Sequence, residues 1–557
     1  MATTQLTCKL YRTLVFSGLS LLSAHAQEVN DLNVFPIPDG DTGTNMQMTL
    51  EGGVNALSKS EEDLDLEHAA RVLSGGMLLG ARGNSGVILS QFFGGITQGF
   101  IGMAFSNVEQ VAFAFQCGVK KAYSAVVNPT EGTILTVARE TTKAAVQAKA
   151  SSIEDFLSVF LEAGEKSLEN TPNLLKFLKD AGVVDSGAKG LLYIVKGMLS
   201  GMTGDILKPI DGNSSGVSRQ INPDLFTSDM EMKFGYCTEI LLRLQESKCD
   251  IDAIKADTFI DYFSTIGNSI VCFKTGSIIK AHVHTFAPYK VLEFSQKYGE
   301  FLTIKIENMM LQNGEVEKSK KEKEEKMTEN LPKPKERHPM GVVTVATGAG
   351  IRKNFLDFGV DAVINGGQTM NPSSEDFIKA FDLSNAETIF VLPNNGNVIL
   401  AANQAASLYK KSKVIVIPTK NLGQAYSILG MLDLDNGDEE SIQNDMLSQM
   451  DGVLTVEVSK AIRPANIGGH EIKAGDYLGI LGKDIESAAS SAKEAALQSV
   501  PSLDVSNHVE VLVLYGKDGS SKDAEEIAAA IKKQYPDIEV QATEGDQDIY
   551  DYLLIAE

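Results

Sequence analysis

Two carboxylates stand two residues apart at Asp39 and Asp41, inside the stretch LNVFPIPDGDTGTNM that runs from Leu32 to Met46. Pro36, Pro38, Gly40 and Gly43 break helix and strand periodicity there, so the pair belongs to a loop. Carboxylates held that close repel each other unless a cation lies between them. The arrangement suits a hard ion such as Mg²⁺, which takes oxygen ligands and commonly joins one or two carboxylates to substrate phosphates. Thr42, Gly43, Thr44 and Asn45 follow, offering backbone N–H groups and small polar side chains where the apolar spacing of a helix begins at Met46 and Leu50. A loop that opens a helix in this way is an anion site. An Asp-Gly turn with an ordinary helix cap is the competing account of the same residues.

Three more loops share this chemistry. In GARGNSG, residues 80–86, Gly83 and Gly86 let backbone approach a ligand, Ser85 can donate to a phosphate oxygen and Arg82 is a fixed cation. The same residues also describe a helix-to-helix turn with a serine cap. NPTEGTILTVARE, residues 128–140, places Glu131 to Thr133 ahead of a helix, and VVDSGAKG, residues 183–190, does so with Asp185, Ser186 and Gly187. Taken alone, both are capped helices.

A different chemistry is suggested further along. His282 and His284 flank Val283, so a strand would place both imidazoles on one face. Cys237, with Glu239 beside it, lies on another strand of the same expected sheet. Two His and one Cys suit Zn²⁺ with one coordination position left open. Two polar residues on the solvent face of a strand are the plainer account of His-x-His.

The elements that must position these groups fall into distinct regions. Residues 1–205 predict an all-helical bundle or barrel, because apolar residues recur at three and four spacing over 64–80, 107–126, 132–149, 153–168 and 188–202. Residues 203–225 read as a linker. Residues 225–312 then follow the order β-α-β-β-α-β, a ferredoxin-like α+β domain. Residues 313–339 carry charges of both signs without apolar periodicity, and predict a second, solvated linker. Residues 340–557 alternate short apolar strands with helices, as in an open α/β sheet, with further strands at VLTVEV, VEVLVLYG and YDYLLIAE and helices at 485–498 and 522–534.

Composition bounds the partners. At 557 residues the chain exceeds one core, and 43% hydrophobic with 22% charged residues describes a globular protein. A net charge of -23 argues against nucleic acid and anionic membrane surfaces, whose field would repel it. Cys8, Cys117, Cys237, Cys249 and Cys272 are scattered and odd in number, which suits a reducing, cytoplasmic setting. Lys9, Arg12 and LVFSGLSLL imitate a signal peptide. However, the apolar run is short and broken, while Leu10, Leu14, Leu21 and Leu22 fall on one helical face, so a packed first helix is expected. No run reaches the length of a membrane span, and stable insertion is not expected.

PDGDTGTNM together with GARGNSGVILSQ (residues 80–91) resembles the nucleotide-binding L-type domain of dihydroxyacetone kinases. With LNVFPIP ahead of the aspartates, the stretch is more similar to the catalytic component of bacterial fatty acid kinase. GGQTMNPS and LPNNGN, after residue 364, resemble the DegV family and the C-terminal region of those catalytic components. The resemblance implies that Asp39 and Asp41 hold Mg²⁺ bridging the phosphates of ATP. Dihydroxyacetone kinases have a third aspartate upstream, where this chain offers Asn33 and, further off, Asp31. The resemblance further implies nucleotide contacts at Thr44, Asn45, Asn84, Ser85, Gly86, Thr133, Asp185 and Gly187, with Arg82 stabilising charge in the transition state. Cys237, His282 and His284 become a Zn²⁺ or active-site cluster. The implied activity is ATP-dependent phosphorylation of a fatty acid to an acyl phosphate. A separate DegV-type fatty-acid-binding protein would present the acid and dock on the C-terminal α/β domain, and the kinase would be a homodimer. Kinases of a small polyol or keto-alcohol, and a non-catalytic nucleotide-sensing scaffold, are the alternatives.

Overall fold

A computed structural model describes residues 3–33, 40–61, 64–203, 236–251, 253–275, 277–308, 336–367, 370–461, 464–467 and 470–557. The chain divides into two compact units. One joins residues 1–203 to residues 332–557, and the other spans residues 204–331.

The first part of the larger unit is helical, apart from two short paired strands, β1 (Gln5–Leu6) and β2 (Ser106–Asn107). Helix α1 (Cys8–Asp31) starts at Thr7, whose side chain accepts from the Leu10 N–H, and buries Tyr11, Leu14, Val15, Gly18, Leu21 and Leu22 along one face. That spacing is the amphipathic repeat that outweighs the signal-peptide likeness of the same residues. Helices α2 (Thr42–Ser58), α3 (Leu66–Gly80), α4 (Gly83–Gly99), α5 (Val108–Ser124), α6 (Ile134–Gln147), α7 (Ile153–Leu174), α8 (Lys176–Ala181) and α9 (Ser186–Thr203) follow. They enclose one core that includes Leu22, Leu50, Phe100, Phe156 and Phe160. Close approach depends on missing side chains: a Cβ on Gly18 would stand 3.0 Å from the Ile194 carbonyl oxygen of α9.

The smaller unit contains β3 (Tyr236–Leu244), α10 (Ala256–Ser264), β4 (Gly267–Thr275), β5 (Ile278–Thr285), α11 (Pro288–Gln296) and β6 (Gly299–Asn308). Its strands form one antiparallel sheet in the order β4-β5-β3-β6. Ile240, Leu242, Ile279, Ala281 and Val283 pack with Phe259, Phe263 and Val291 of the helices.

The second part of the larger unit carries two main sheets. Strands β7 (His338–Ala346), β8 (Ala362–Asn365), β9 (Ala386–Leu392) and β10 (Lys413–Val416) form a parallel sheet in the order β10-β9-β7-β8. Strands β11 (Leu454–Lys460), β14 (Tyr477–Leu481), β15 (Asp484–Ala489), β16 (Glu510–Tyr515), β17 (Glu539–Glu544) and β18 (Tyr552–Ala556) form a mixed sheet, ordered β15-β14-β11-β18-β16-β17. A short antiparallel pair, β12 (Ala465–Ile467) and β13 (His470–Ile472), lies between β11 and β14 in the chain. The helix expected over residues 485–498 is corrected by the structure. Asp484–Ala489 is a strand, and the helix spans only Ala492–Ser499. Ile485, Ser487 and Ala489 are buried at alternate positions, so pairing with β14 overrides the helical preference of Glu and Ala.

Candidate functional site

The site forms where four helices of the first part begin. Asp41 precedes α2 at the cap position, yet its side chain makes no capping hydrogen bond. It is therefore not the ordinary helix cap that an Asp-Gly turn suggests. The capping work is done from α1: Asn30, 6% exposed, donates through Nδ2 to Thr44 Oγ1 at 2.9 Å and accepts from the Thr44 N–H at 3.1 Å. Sequence reasoning misses Asn30, since no local spacing marks the last turn of one helix as the clamp for the next. Asn33 lies half-buried beyond that turn, with its N–H on the Asn30 carbonyl at 3.0 Å. Asp39 lies outside the described residues.

Helix α4 begins against α2. Arg82 occupies its cap position, not Ser85, and Gly83 takes a φ of 57°, the left-handed region that glycine adopts without strain. A Cβ on Gly83 would stand 2.6 Å from Asn45 Nδ2, and one on Gly86 would collide with the Thr49 hydroxyl. The Arg82 N–H donates to that hydroxyl at 3.2 Å.

Helices α6 and α9 complete the ring. Thr133 caps α6, accepting from the Leu135 N–H at 3.4 Å, and Asp185 Oδ1 accepts from the Ala188 N–H in the first turn of α9 at 2.8 Å. A Cβ on Gly187 would lie 3.5 Å from both Asp185 Oδ1 and Ser85 Oγ and 3.4 Å from Ile134 Cβ, so α4, α6 and α9 meet at this glycine. Burial pushes the Asp185 carboxyl up to about 6, against the opposing pull of the Ala188 and Ile134 N–H groups. Thr44, Asn45, Ser85, Gly86, Thr133, Asp185 and Gly187 are thus gathered at converging helix N-termini. Side chains already cap some of the first-turn N–H groups, Thr44 on Asn30, Leu135 on Thr133 and Ala188 on Asp185, and each end carries the partial positive charge of a helix start. Phosphate is the ligand this arrangement suits.

A second layer of contacts comes from the α/β part of the same unit. Asn371 Nδ2 donates to the Asp41 carboxylate. The guanidinium of Arg82 donates to the Asn371 carbonyl at 2.8 Å and lies 3.4 Å from Asp376. Asn84 Nδ2 donates to Asn397 Oδ1 at 3.0 Å, and Gln404 Nε2 donates to the Leu78 carbonyl at 2.7 Å. Beneath them, Ala81 and Val87 belong to the same apolar cluster as Phe377, Ala401 and Ala402. The sequence singles out GGQTMNPS and LPNNGN, but not their contact with GARGNSG. The partners are about 300 residues apart, as in Arg82 and Asn371, and no periodicity spans that distance.

In the smaller unit, β3 and β5 pair Cys237 with His284 and Glu239 with His282, while the buried positions Thr238, Ile240, Ala281 and Val283 alternate with them. The side chains of Cys237, Glu239, His282 and His284 lie outside the described residues. Among the described residues, no group of three or more His, Cys, Asp or Glu side chains is placed to hold a metal ion. Oxygen donors for a hard cation are nonetheless present at α2. They are the uncapped carboxylate of Asp41 and Asn371 Oδ1, which is buried without a hydrogen-bond partner among the described residues. Among the described residues, no helix is long and apolar enough to cross a membrane.

The chain, with helical loops and an α/β part in one unit, matches three family models in succession. Residues 36–200 match the DAK2 domain, residues 233–316 the middle domain of FakA-like fatty acid kinase proteins, and residues 341–557 the C-terminal domain of the same proteins. The chain is 38% identical to the YloV protein of Bacillus subtilis over 98% of each chain, and 36% identical to a protein of Staphylococcus epidermidis over 99% of each. Among solved structures it is similar to DegV, a fatty acid binding protein from Bacillus subtilis, at 11% identity and a TM-score of 0.32, covering 39% of this chain and 99% of that one. Another is the Streptococcus pneumoniae fatty acid kinase B3 protein loaded with linoleic acid, at 11% identity and a TM-score of 0.27, covering 39% and 98%. The chain belongs to the FakA-like family of fatty acid kinase proteins.

Proposed function

We propose that this protein transfers the γ-phosphoryl group of ATP to the carboxylate of a fatty acid, giving an acyl phosphate and ADP. The observation that carries the reading is the convergence of the α2, α4, α6 and α9 N-termini around Asp41, Ser85 and Gly187. Phosphoryl transfer is chiefly positioning and charge stabilisation, which such N–H groups supply. Asp41 and Asp39 would hold Mg²⁺, which neutralises charge on the β- and γ-phosphates when bound. Asn45, Ser85 and the N–H groups of Gly83 to Ser85 orient the phosphates, and Thr133 and Gly187 close the far side.

The acceptor oxygen attacks the γ-phosphorus as the bond to the β-γ bridging oxygen breaks, and the pair of electrons leaves on ADP. A carboxylate is ionised at neutral pH, on the usual scale near 4, so the step needs no general base. A long acyl chain is costly in water, about 0.8 kcal/mol per exposed CH₂, which calls for a carrier. The carrier we infer is a separate DegV-type fatty-acid-binding protein. The middle unit we read as ferredoxin-like, on its strand order. Cys237, His282 and His284 there are proposed as a Zn²⁺ or carboxylate site, on their register across β3 and β5. Metal analysis of chelator-free protein finding no zinc removes that part.

The test is transfer of radiolabelled γ-phosphate to oleate, run with and without a DegV-type fatty-acid-binding protein. Labelled acyl phosphate only in the presence of the carrier is the expected result. Phosphorylation of dihydroxyacetone without any carrier would replace it with a polyol kinase, and ADP binding with no turnover would replace it with a nucleotide sensor.

A further inference from the structure

We propose that the α/β part of the chain completes the nucleotide site, with Asn371 acting as a positioning residue for Asp41. The inference rests on the kinase reading above and extends it to a residue 330 positions downstream of the metal loop.

Asn371 is 2% exposed and has two polar ends. Its Nδ2 donates to one oxygen of Asp41, which fixes the plane of a carboxylate that no helix cap holds. Its Oδ1 is buried and has no hydrogen-bond partner among the described residues. An orphaned buried carbonyl opposes folding, and a bound ion or water is one of the groups that satisfy it. Beside an acidic side chain, the partner that fits an unpaired oxygen is a divalent cation or a water in its coordination shell. The geometry around Asn371 also resists drift. Its own carbonyl accepts from Arg82, whose guanidinium is tied to Asp376, and Gly83 comes close enough that an added Cβ would stand 3.3 Å from Asn371 Nδ2. Ser373, two residues on, caps the helix Ser374–Ser384 with a reciprocal pair to Asp376, so a rigid element holds the loop end. Arg82 thereby serves to lock Asn371 in place from the far side.

The consequence is a division of labour within one chain. Helix N-termini bind the phosphates, and the α/β part sets the orientation of the acidic ligand that binds the ion. Removing Asn371 should therefore weaken metal-dependent nucleotide binding and leave metal-independent binding as it was. A residue that merely glued two domains together would lower stability without changing the metal dependence.

The experiment is calorimetric titration of the full chain with ADP, with and without Mg²⁺, for wild type, Asn371→Ala and Asn371→Asp. Asn371→Ala should lose about 10- to 100-fold in ADP affinity with Mg²⁺ present, the usual cost of an outer-shell ligand, and shift the Mg²⁺ midpoint upward. Its affinity without Mg²⁺ should match wild type. Asn371→Asp retains the shape but sets two carboxylates together, so its Tm should fall without metal and recover with Mg²⁺ and ADP. If Asn371→Ala does not fold, Asn371→Asp decides alone: a Tm that Mg²⁺ and ADP fail to restore overturns the proposal. An unchanged Mg²⁺ midpoint in Asn371→Ala overturns it, and so does tighter binding, which would make Asn371 a plug. If wild type itself shows no Mg²⁺-dependent ADP binding, the kinase reading falls. If wild type binds and Asn371→Ala equals it, only the positioning role falls.

Discussion

The larger unit contains two clusters of loops that could each take a ligand, and they differ in what their polar groups are doing. In the helical part, Gly83, Gly86 and Gly187 let the starts of α2, α4, α6 and α9 come together where added side chains would crowd them. In the α/β part, a cleft lies past the ends of β7, β8 and β9, lined by Thr347, Asn365, Gly366, Asn394 and Asp548. Such a crevice is where open parallel sheets commonly bind ligands. Here, much of its polar equipment is engaged. Asn394 donates to Thr344 Oγ1 at 2.8 Å and to the Val345 carbonyl at 2.7 Å, and accepts from Thr419 at 2.7 Å, while Asp548 pairs with Lys517. The neighbouring loops reach outward instead, Asn371 to Asp41 and Asn397 to Asn84. Loops of the α/β part thus brace the helix starts, while the polar groups of its own cleft stay engaged within it.

That contrast can be broken, most severely at Asp41. Asp41→Ala should abolish phosphoryl transfer, by about 10³-fold or more, while circular dichroism remains that of wild type; retained activity would mean the helical loops are not the reacting site. Next comes the contact between α2 and α4. Gly86→Ala forces a methyl group into the Thr49 hydroxyl, and should cost about 1–3 kcal/mol in a denaturant titration together with most nucleotide affinity.

A pH experiment sharpens the comparison from the side of α9. Asp185 has its carboxyl raised from 3.8 to about 6 by burial, so the folded chain binds that proton more tightly than the unfolded chain does. The penalty is absent below about pH 4 and complete above about pH 6, and stability falls as pH rises between them. Asp185→Asn should therefore raise stability at pH 7 by up to about 3 kcal/mol and leave it unchanged at pH 4. Thermal melts at both pH values check this, and a variant equally stabilised at both would rule out the buried charge as the cause. The smallest effect is expected across the seam. A double-mutant cycle on Asn84 and Asn397, each changed to Ala, should give a coupling of about 0.5–1.5 kcal/mol; zero coupling would detach the bracing role from this pair.

Much of this was legible from local pattern. Apolar residues at three and four spacing marked α1, α3, α5, α6, α7 and α9, because a helix face is set by residues within a few turns of each other. The glycines of GARGNSG announced close backbone approach, and DGDTGTN announced the start of a helix. Where local pattern failed, the pairing or turn geometry of an adjoining segment had decided the outcome. Residues 484–489 have helical composition but lie next to β14, and strand pairing won. Ser85 reads as a cap, yet the cap position fell to Arg82 because Gly83 turns the chain there.

By itself, the sequence determined which segments could be helices, where the glycine-rich turns at their starts lie and that carboxylates stand among them, since each of these depends on neighbours a few residues away. Only the tertiary structure decided that Asn30 clamps the start of α2, that Gly187 joins three helix ends and that Asn371 reaches Asp41 from the α/β part. Those contacts depend on packing between elements separated by up to 330 residues, and no short-range preference of the chain encodes which distant amide will meet a given carboxylate.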